Sequence, residues 1–358
     1  MLFDPFSARS LRLNNRMVMA PLTRSRATPE HLPNDLMATY YGQRATAGLI
    51  ITEGTSPSAN GLGYPRIPGL FNAEQALAWK DTTAAVHAQG GKIFVQFMHC
   101  GRVAHVANLP AGAEVLGPGA DVCPGEMYTD AHGMQPHSPP RATTLTDIAH
   151  AVAEHARAAK LAMEAGFDGV ELHGANGYLI EQFLNPMINQ RSHDHGGSIE
   201  DRNRFAVELA RVTVAAIGRD RVGMRLSPYG VFNGTAGFPE VQEQYLALAQ
   251  SLSELGLLYI HLVDHSSMGA PPVPADFKLK LRAAFNGLFI LSGGFDHASA
   301  EQALLESRGD LVAFGRGFLA NPDLVSRMRK GAALNAPDPA TFYVPGPKGY
   351  TDYPAMAD

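Results

Sequence analysis

Eight short apolar runs, most of them rich in β-branched residues, alternate along this chain with stretches of helical periodicity, and this alternation limits its folds most. The runs are MVMA at 17–20, LIIT at 49–52, KIFVQF at 92–97, GVEL at 169–172, VGMRL at 222–226, LLYIHLV at 257–263, LFILS at 288–292 and LVAFG at 311–315. They are continuous rather than alternating, which suits strands of a parallel sheet covered on both faces. Between them AEQALAWKDTTAAVHAQG, EDRNRFAVELARVTVAAIG, VQEQYLALAQSLSELG and HASAEQALLESRG read as helices. The clearest helix is expected over 146–165, with Thr146 as N-cap, Ile148, Val152, His155 and Ala159 on one face, and Gly166 closing it. Eight such units in 358 residues predict an α/β fold of one (β/α)8 (TIM) barrel, a single domain over 1–358, rather than two doubly wound domains. Residues 103–142, rich in Pro, Gly and His, interrupt the third unit and read as an excursion over one barrel end.

Composition narrows the function. A formal charge of −5 argues against nucleic acid as the partner. No apolar run approaches the roughly 20 residues that span a bilayer, so no membrane association is expected. The opening MLFDPFSARSLRLNNR has no continuous apolar stretch of the secretory kind. Cys100 and Cys123 form neither a disulfide framework nor a metal knuckle, and His132, His137, His193 and His195 lack carboxylate or thiol partners at ligand spacing. A cytoplasmic enzyme without a metal, monomeric or homodimeric, is the expectation.

In such a barrel the residues just past each strand converge on one rim, where active sites sit. Those positions hold Pro21, Leu22, Thr23 and Arg24; Glu53 and Gly54; Gln96, Met98 and His99; His173, Asn176 and Tyr178; and Arg225. SGGF at 292–295 and FGRGF at 314–318 follow the seventh and eighth strands. Gly293, Gly294 and Gly315 could simply permit tight turns. With Arg316 among them, they also match the phosphate site that these barrels often carry, built from backbone N–H groups and a guanidinium. A phosphorylated ligand with a polar ring, such as flavin mononucleotide (FMN), fits this rim. Glu53 reads as an anchor for loops rather than as an acid.

The segments NRMVMAPLTRSRA, IITEGT, VELHGANGYLIEQFL, GGSIEDRNRF, VGMRLSP, GGF, FGRGFLANPDL and GYTDYP follow one another in that order. Together they resemble the old yellow enzyme family of FMN-dependent ene-reductases, from about residue 2 to residue 354. Thr23, where other members have Cys, places the chain nearer the yeast-like and enteric-bacterial branch. The resemblance implies non-covalent FMN and a nicotinamide dinucleotide, NADH or NADPH, as reductant. It places Pro21, Leu22 and Thr23 under the flavin ring, with Thr23 at its O4 edge, and Gly54 and Gln96 against the isoalloxazine. Arg225 would stand beside N1 and O2, and Gly293, Gly294, Gly315 and Arg316 at the phosphate. His173 and Asn176 would hold the carbonyl or nitro oxygen of an electrophilic alkene, and Tyr178 would protonate its α-carbon. Tyr64, Phe232 and Tyr350 are expected to line the substrate pocket by position. Many members carry Gln-Leu-Trp where this chain has Gln96-Phe97-Met98, so Met98 implies a roomier or reshaped pocket. Two rival readings stay open at this point. One is the same flavoenzyme acting mainly on nitro compounds, nitrate esters or quinones. The other is a flavin-free barrel lyase or isomerase taking a phosphorylated substrate, although no lysine stands among the strand-end residues to form a Schiff base.

Overall fold

The computed structural model describes residues 1–357. Eight strands close into a parallel barrel: β1 (Met17–Met19), β2 (Leu49–Thr55), β3 (Ile93–Phe97), β4 (Gly169–Gly174), β5 (Val222–Leu226), β6 (Tyr259–Val263), β7 (Leu288–Ser292) and β8 (Leu311–Phe314). Each lies on one of the eight apolar runs, with ends within three residues of it. Neighbours in sequence are neighbours in the ring, and β8 pairs with β1, Val312 opposite Met17, to close it.

Two apolar clusters follow from the pleat. Side chains on one face of the strands, among them Val18, Ile51, Phe94, Tyr259, Ile290 and Leu311, fill the barrel interior. The opposite face packs against the surrounding helices through residues such as Met17, Ile50, Val95, Leu172, Met224 and Val312. A hairpin of Phe6–Ala8 with Leu11–Leu13 precedes β1 and adds Leu11 and Leu13 to the interior cluster, sealing the end where the strands begin.

The helices flanking the barrel include α1 (Asp35–Gln43), α2 (Ala73–His87), α3 (Leu145–Glu164), α4 (Leu179–Leu184), α5 (Ile199–Ile217) and α6 (Val241–Glu254). After them come α7 (Ala275–Ala283), α8 (His297–Leu305), α9 (Arg316–Ala320) and α10 (Leu324–Lys330). Helix α3 begins two residues earlier than expected. Thr144, not Thr146, is its N-cap: the Thr144 side chain accepts from the Asp147 amide at 3.1 Å, and Asp147 accepts from the Thr144 amide at 2.7 Å. The carboxylate three residues on makes Thr144 half of a reciprocal cap, which Thr146 cannot form. At the other end Gly166 takes φ +89°, and Phe167 donates to Ala162 O at 3.0 Å, a Schellman closure.

The excursion between β3 and α3 forms an antiparallel hairpin, Glu126–Thr129 with Gly133–Pro136. From the other side, the chain's last stretch crosses the same end of the barrel, and three arginines fasten it. Arg24 donates to Gly349 O at 2.6 Å, Arg26 to Phe342 O, Thr341 O and Lys348 O at 2.6, 2.7 and 2.9 Å, and Arg66 to Tyr343 O at 3.2 Å. Arg66 also pairs with Asp130 at the tip of the hairpin, so hairpin and C-terminal strap are tied through one guanidinium. Arg26→Ala leaves several of these carbonyls unpartnered and is expected to lower unfolding stability by about 2–4 kcal/mol. Urea unfolding measures the loss, and limited proteolysis should then cut within 341–348. An unchanged midpoint with an intact strap would mean that Arg24 and Arg66 suffice to hold it.

Candidate active site

A cavity of about 1390 Å³ opens at the end of the barrel where the strands finish. This is more than the roughly 300–1,000 Å³ of a site for one drug-sized ligand. Pro21, Leu22, Thr23, Gly54, Gln96, Met98, His173, Asn176, Tyr178, Arg225, Gly293, Gly294, Gly315 and Arg316 all line it, as do Tyr64 and Phe232. The excursion hairpin, through Met127, Tyr128 and Met134, and the strap, through Phe342 and Tyr343, complete its walls.

Tyr350 does not line the cavity and corrects the expectation made for it. It is fully buried, its ring stacked on Tyr40 at 4.0 Å with Arg24 and Arg26 over the ring. The aromatic faces an arginine cluster instead of solvent because the strap turns it inward. Three of the rim positions also look elsewhere. Arg24 holds the strap, and His99 faces a separate small cavity beside α3. Glu53 accepts from the Arg24 amide and the Tyr41 hydroxyl, both at 3.3 Å, and burial pushes its carboxyl up to about 7.

The floor of the cavity is set by strand register. His173 on β4 stands opposite Arg225 on β5, which stands opposite His261 on β6. One layer below, Glu171 pairs in register with Gln96 on β3. Glu171 accepts from Gln96 Nε2 at 2.8 Å and shares a 2.9 Å hydrogen bond with His261 Nδ1, all three deep inside the barrel. Burial alone would raise the Glu171 carboxyl; His261, Arg225 and Gln96 outweigh it and hold the group below its ordinary value. Gln96 also lines the cavity. Burial first, then the nearby Arg225 charge, lowers His173 well below the usual imidazole range, so it is neutral at pH 7.

The turn after β4 is over-determined. Asn176 adopts a left-handed φ of +61°, which Asn tolerates better than most side chains, and Gly177 follows at +76°. The Asn176 amide donates to Ser227 Oγ at 2.9 Å and its carbonyl accepts from Asn233 Nδ2 at 2.8 Å. Buried Glu181 gathers the turn, accepting from the Gly177 amide at 2.6 Å, Ser227 Oγ at 2.8 Å and the Tyr245 hydroxyl at 3.0 Å. Its carboxyl is pushed up to about 7 by that burial. The Tyr178 hydroxyl lies 3.1 Å from that of Tyr64, and burial, reinforced by Cys100, raises it further above the ordinary phenol value. His265, just past β6, meets the Asn176 side chain, Nε2 to Oδ1, at 2.7 Å.

Several buried polar atoms at or just beneath this floor have no hydrogen-bond partner among the described residues: His173 Nδ1, Arg225 Nε and Nη1, and His261 Nε2. Such atoms are costly unless a ligand or water completes them. Gly54 supplies a close approach, since a Cβ there would meet Met98 Sδ at 2.4 Å. Gly293 and Gly294 take φ of +134° and +68° at the end of β7, while a Cβ on Gly315 would meet only Leu22, at 3.5 Å. Together with exposed Arg316 and the first N–H groups of α9, this side of the cavity suits a phosphate. Buried cationic donors beneath and a glycine-lined cradle at the side fit a flavin mononucleotide, with room left for a second molecule.

Sequence reasoning misses Glu171, Glu181, Asn233 and His265. Glu171 carries a usable signal, a carboxylate at a position of a barrel strand where apolar residues dominate. The sixth strand is the one left without a rim residue, and Asp264-His265 fills that place.

Residues 1–335 match the family described as NADH:flavin oxidoreductase / NADH oxidase. A chanoclavine-I aldehyde reductase of Penicillium roqueforti is 41% identical over 370 residues, covering 100% of this chain and 97% of the relative. A probable flavin mononucleotide-dependent alkene reductase of Leishmania infantum is 40% identical over 349 residues, covering 96% and 94%. Morphinone reductase in complex with tetrahydroNAD superposes with a TM-score of 0.94 at 41% identity, covering 100% of this chain and 98% of the other. The match sets aside a flavin-free lyase or isomerase. The chain belongs to the NADH:flavin oxidoreductase / NADH oxidase family, the old yellow enzymes, and is an FMN-dependent NAD(P)H oxidoreductase.

Proposed function

We propose that this flavoenzyme reduces the C=C bond of activated alkenes, α,β-unsaturated carbonyl compounds and nitroalkenes, with His173 and Asn176 gripping the activating oxygen and Tyr178 donating the proton. The observation that carries this reading is that the end of β4 and the turn after it present three polar side chains, His173 Nδ1 among the unpartnered atoms, to a cavity with room beyond a cofactor. FMN, when bound, supplies the hydride from N5 of its reduced ring. Pro21, Leu22, Thr23, Gly54, Gln96 and Arg225 would hold its ring, and Gly293, Gly294, Gly315 and Arg316 its phosphate.

Neutral His173 and the Asn176 carboxamide each offer an N–H without bringing a proton that would titrate near pH 7. Two donors on one oxygen withdraw electrons from the alkene and make its β-carbon electrophilic. Tyr178 stays protonated at every physiological pH, because its pKa is raised above an already high value. It therefore gives its proton only to a strongly basic carbon, which the α-carbon becomes as the β-carbon takes hydride. Met98, Tyr64 and Phe232 shape the space around the alkene. Nicotinamide and alkene occupy the same space in turn, so the kinetics are ping-pong.

An anaerobic visible spectrum is the direct test. The flavin bands should bleach with NADPH and return with 2-cyclohexenone. Bleaching without return would move the reading to nitro compounds, nitrate esters or quinones. In Tyr178→Phe, bleaching by NADPH should stay within about twofold, while return with 2-cyclohexenone slows at least about a hundredfold. Equal slowing of both half-reactions would remove the proton donor's role from Tyr178. Met98→Trp is expected to change the enantiomeric excess obtained with a prochiral enone, because a rigid indole would replace a flexible thioether seated against Gly54. An identical excess and rate would leave Met98 outside the determinants of facial selectivity.

A further inference from the structure

A carboxamide is nearly symmetric in shape, yet one of its faces donates and the other accepts. Which face Asn176 turns to the cavity decides whether it strengthens or repels a carbonyl oxygen. Its backbone is fixed by Ser227 and Asn233, so the freedom left to it lies in the side-chain torsions, the last of which sets which face the amide turns outward. One side-chain hydrogen bond acts on that rotation among the described residues, the 2.7 Å contact with His265 Nε2.

We propose that His265 is a positioning residue that sets the polarity of the substrate-binding amide: its Nε2–H holds Asn176 Oδ1, so the carboxamide presents its NH2 to the substrate. The inference rests on the reading of Asn176 as an oxygen-binding group. Three features of the surroundings support it. The imidazole is 8% exposed, and it packs edge-on to Phe232, ring centroids 4.6 Å apart and planes at 72°, so its own orientation is constrained. Burial, with Arg225 adding to it, lowers its pKa to about 4, so at neutral pH the ring carries a single N–H. With that proton on Nε2 the ring donates to Oδ1; on Nδ1, the same nitrogen would accept from Asn176 and turn the amide oxygen toward the substrate. A carbonyl or nitro oxygen in the cavity is complementary only to the first arrangement. His265 thus acts through Asn176, its own ring braced against Phe232.

The test compares FMN-loaded native enzyme with His265→Phe, His265→Gln and Asn176→Ala. Phenylalanine keeps an aromatic ring against Phe232 and loses the hydrogen bond; glutamine can restore a donor. Three readouts separate the roles. The first is the dissociation constant of cyclohexanone, which cannot be reduced at a C=C bond, from its perturbation of the flavin spectrum. The second is anaerobic reoxidation by 2-cyclohexenone. The third is reoxidation by oxygen, which needs no carbonyl grip.

His265→Phe should weaken cyclohexanone about fivefold to tenfold, the scale of one hydrogen bond, and slow the enone step by a similar factor. Oxygen reoxidation should stay within about twofold, and His265→Gln should recover most of the loss. Placed on Asn176→Ala, His265→Phe should add nothing, as expected when two residues act as one unit. Native-like cyclohexanone binding in His265→Phe overturns the proposal. So does an equal loss in oxygen reoxidation, which would indicate packing, and so does a His265→Gln variant no better than His265→Phe. Native-like binding in Asn176→Ala would instead overturn the underlying reading of Asn176. A loss in Asn176→Ala with none in His265→Phe would leave that reading intact and remove only His265.

Discussion

Closure of the parallel ring is the constraint on which everything else in this molecule rests. Because all eight strands run the same way, joining β8 to β1 brings every strand end onto one rim. The interior beneath that rim is filled by apolar side chains from the strand starts and then, higher up, by Glu171, Gln96 and His261. An unpaired carboxylate there would cost several kcal/mol. Pairing it on both oxygens turns this liability into a rigid support, since Gln96 and His261 are each fixed by the same charge. Arg225 lies close enough to help hold that carboxylate in its charged form. The cavity floor is therefore electrostatically ordered before any ligand arrives.

A second buried carboxylate does for the turn after β4 what Glu171 does for the floor. Glu181 binds an amide, a serine and a tyrosine across three elements, and the left-handed residue Asn176 sits at the centre of what it ties together. Strained backbone persists only where its neighbours over-determine it. The functional side chains of this turn are consequently preorganised by hydrogen bonds that no ligand makes.

Much of this is legible in the sequence for a simple reason. Strands covered on both faces leave unbroken apolar runs, and rim residues occupy predictable places after them. The runs at 222–226 and 288–292 coincide with β5 and β7 residue for residue. Roles that depend on partners far along the chain are not legible. Glu171 acquires its meaning from His261, 90 residues away, and Glu181 from Ser227, 46 residues away. The N-cap of α3 is misread because two threonines compete for it, and only the spacing to Asp147 separates them. Tyr350 is placed by its motif, and a motif fixes a position in the chain without fixing which way a ring turns.

The strap that closes the cavity is fastened almost entirely through its carbonyl oxygens, at residues 341, 342, 343, 346, 348 and 349, by guanidinium groups from the other end of the chain. A carbonyl is common to all twenty amino acids. Apart from Tyr350, whose ring is seated between Tyr40 and the arginines, these bonds are blind to what the strap's side chains are, although Phe342, Tyr343, Val344 and Pro345 belong to the wall that a substrate meets. Attachment and selectivity are thus written in different alphabets, one in the main chain and one in the side chains. A lineage built this way can revise the shape of its pocket without loosening the latch.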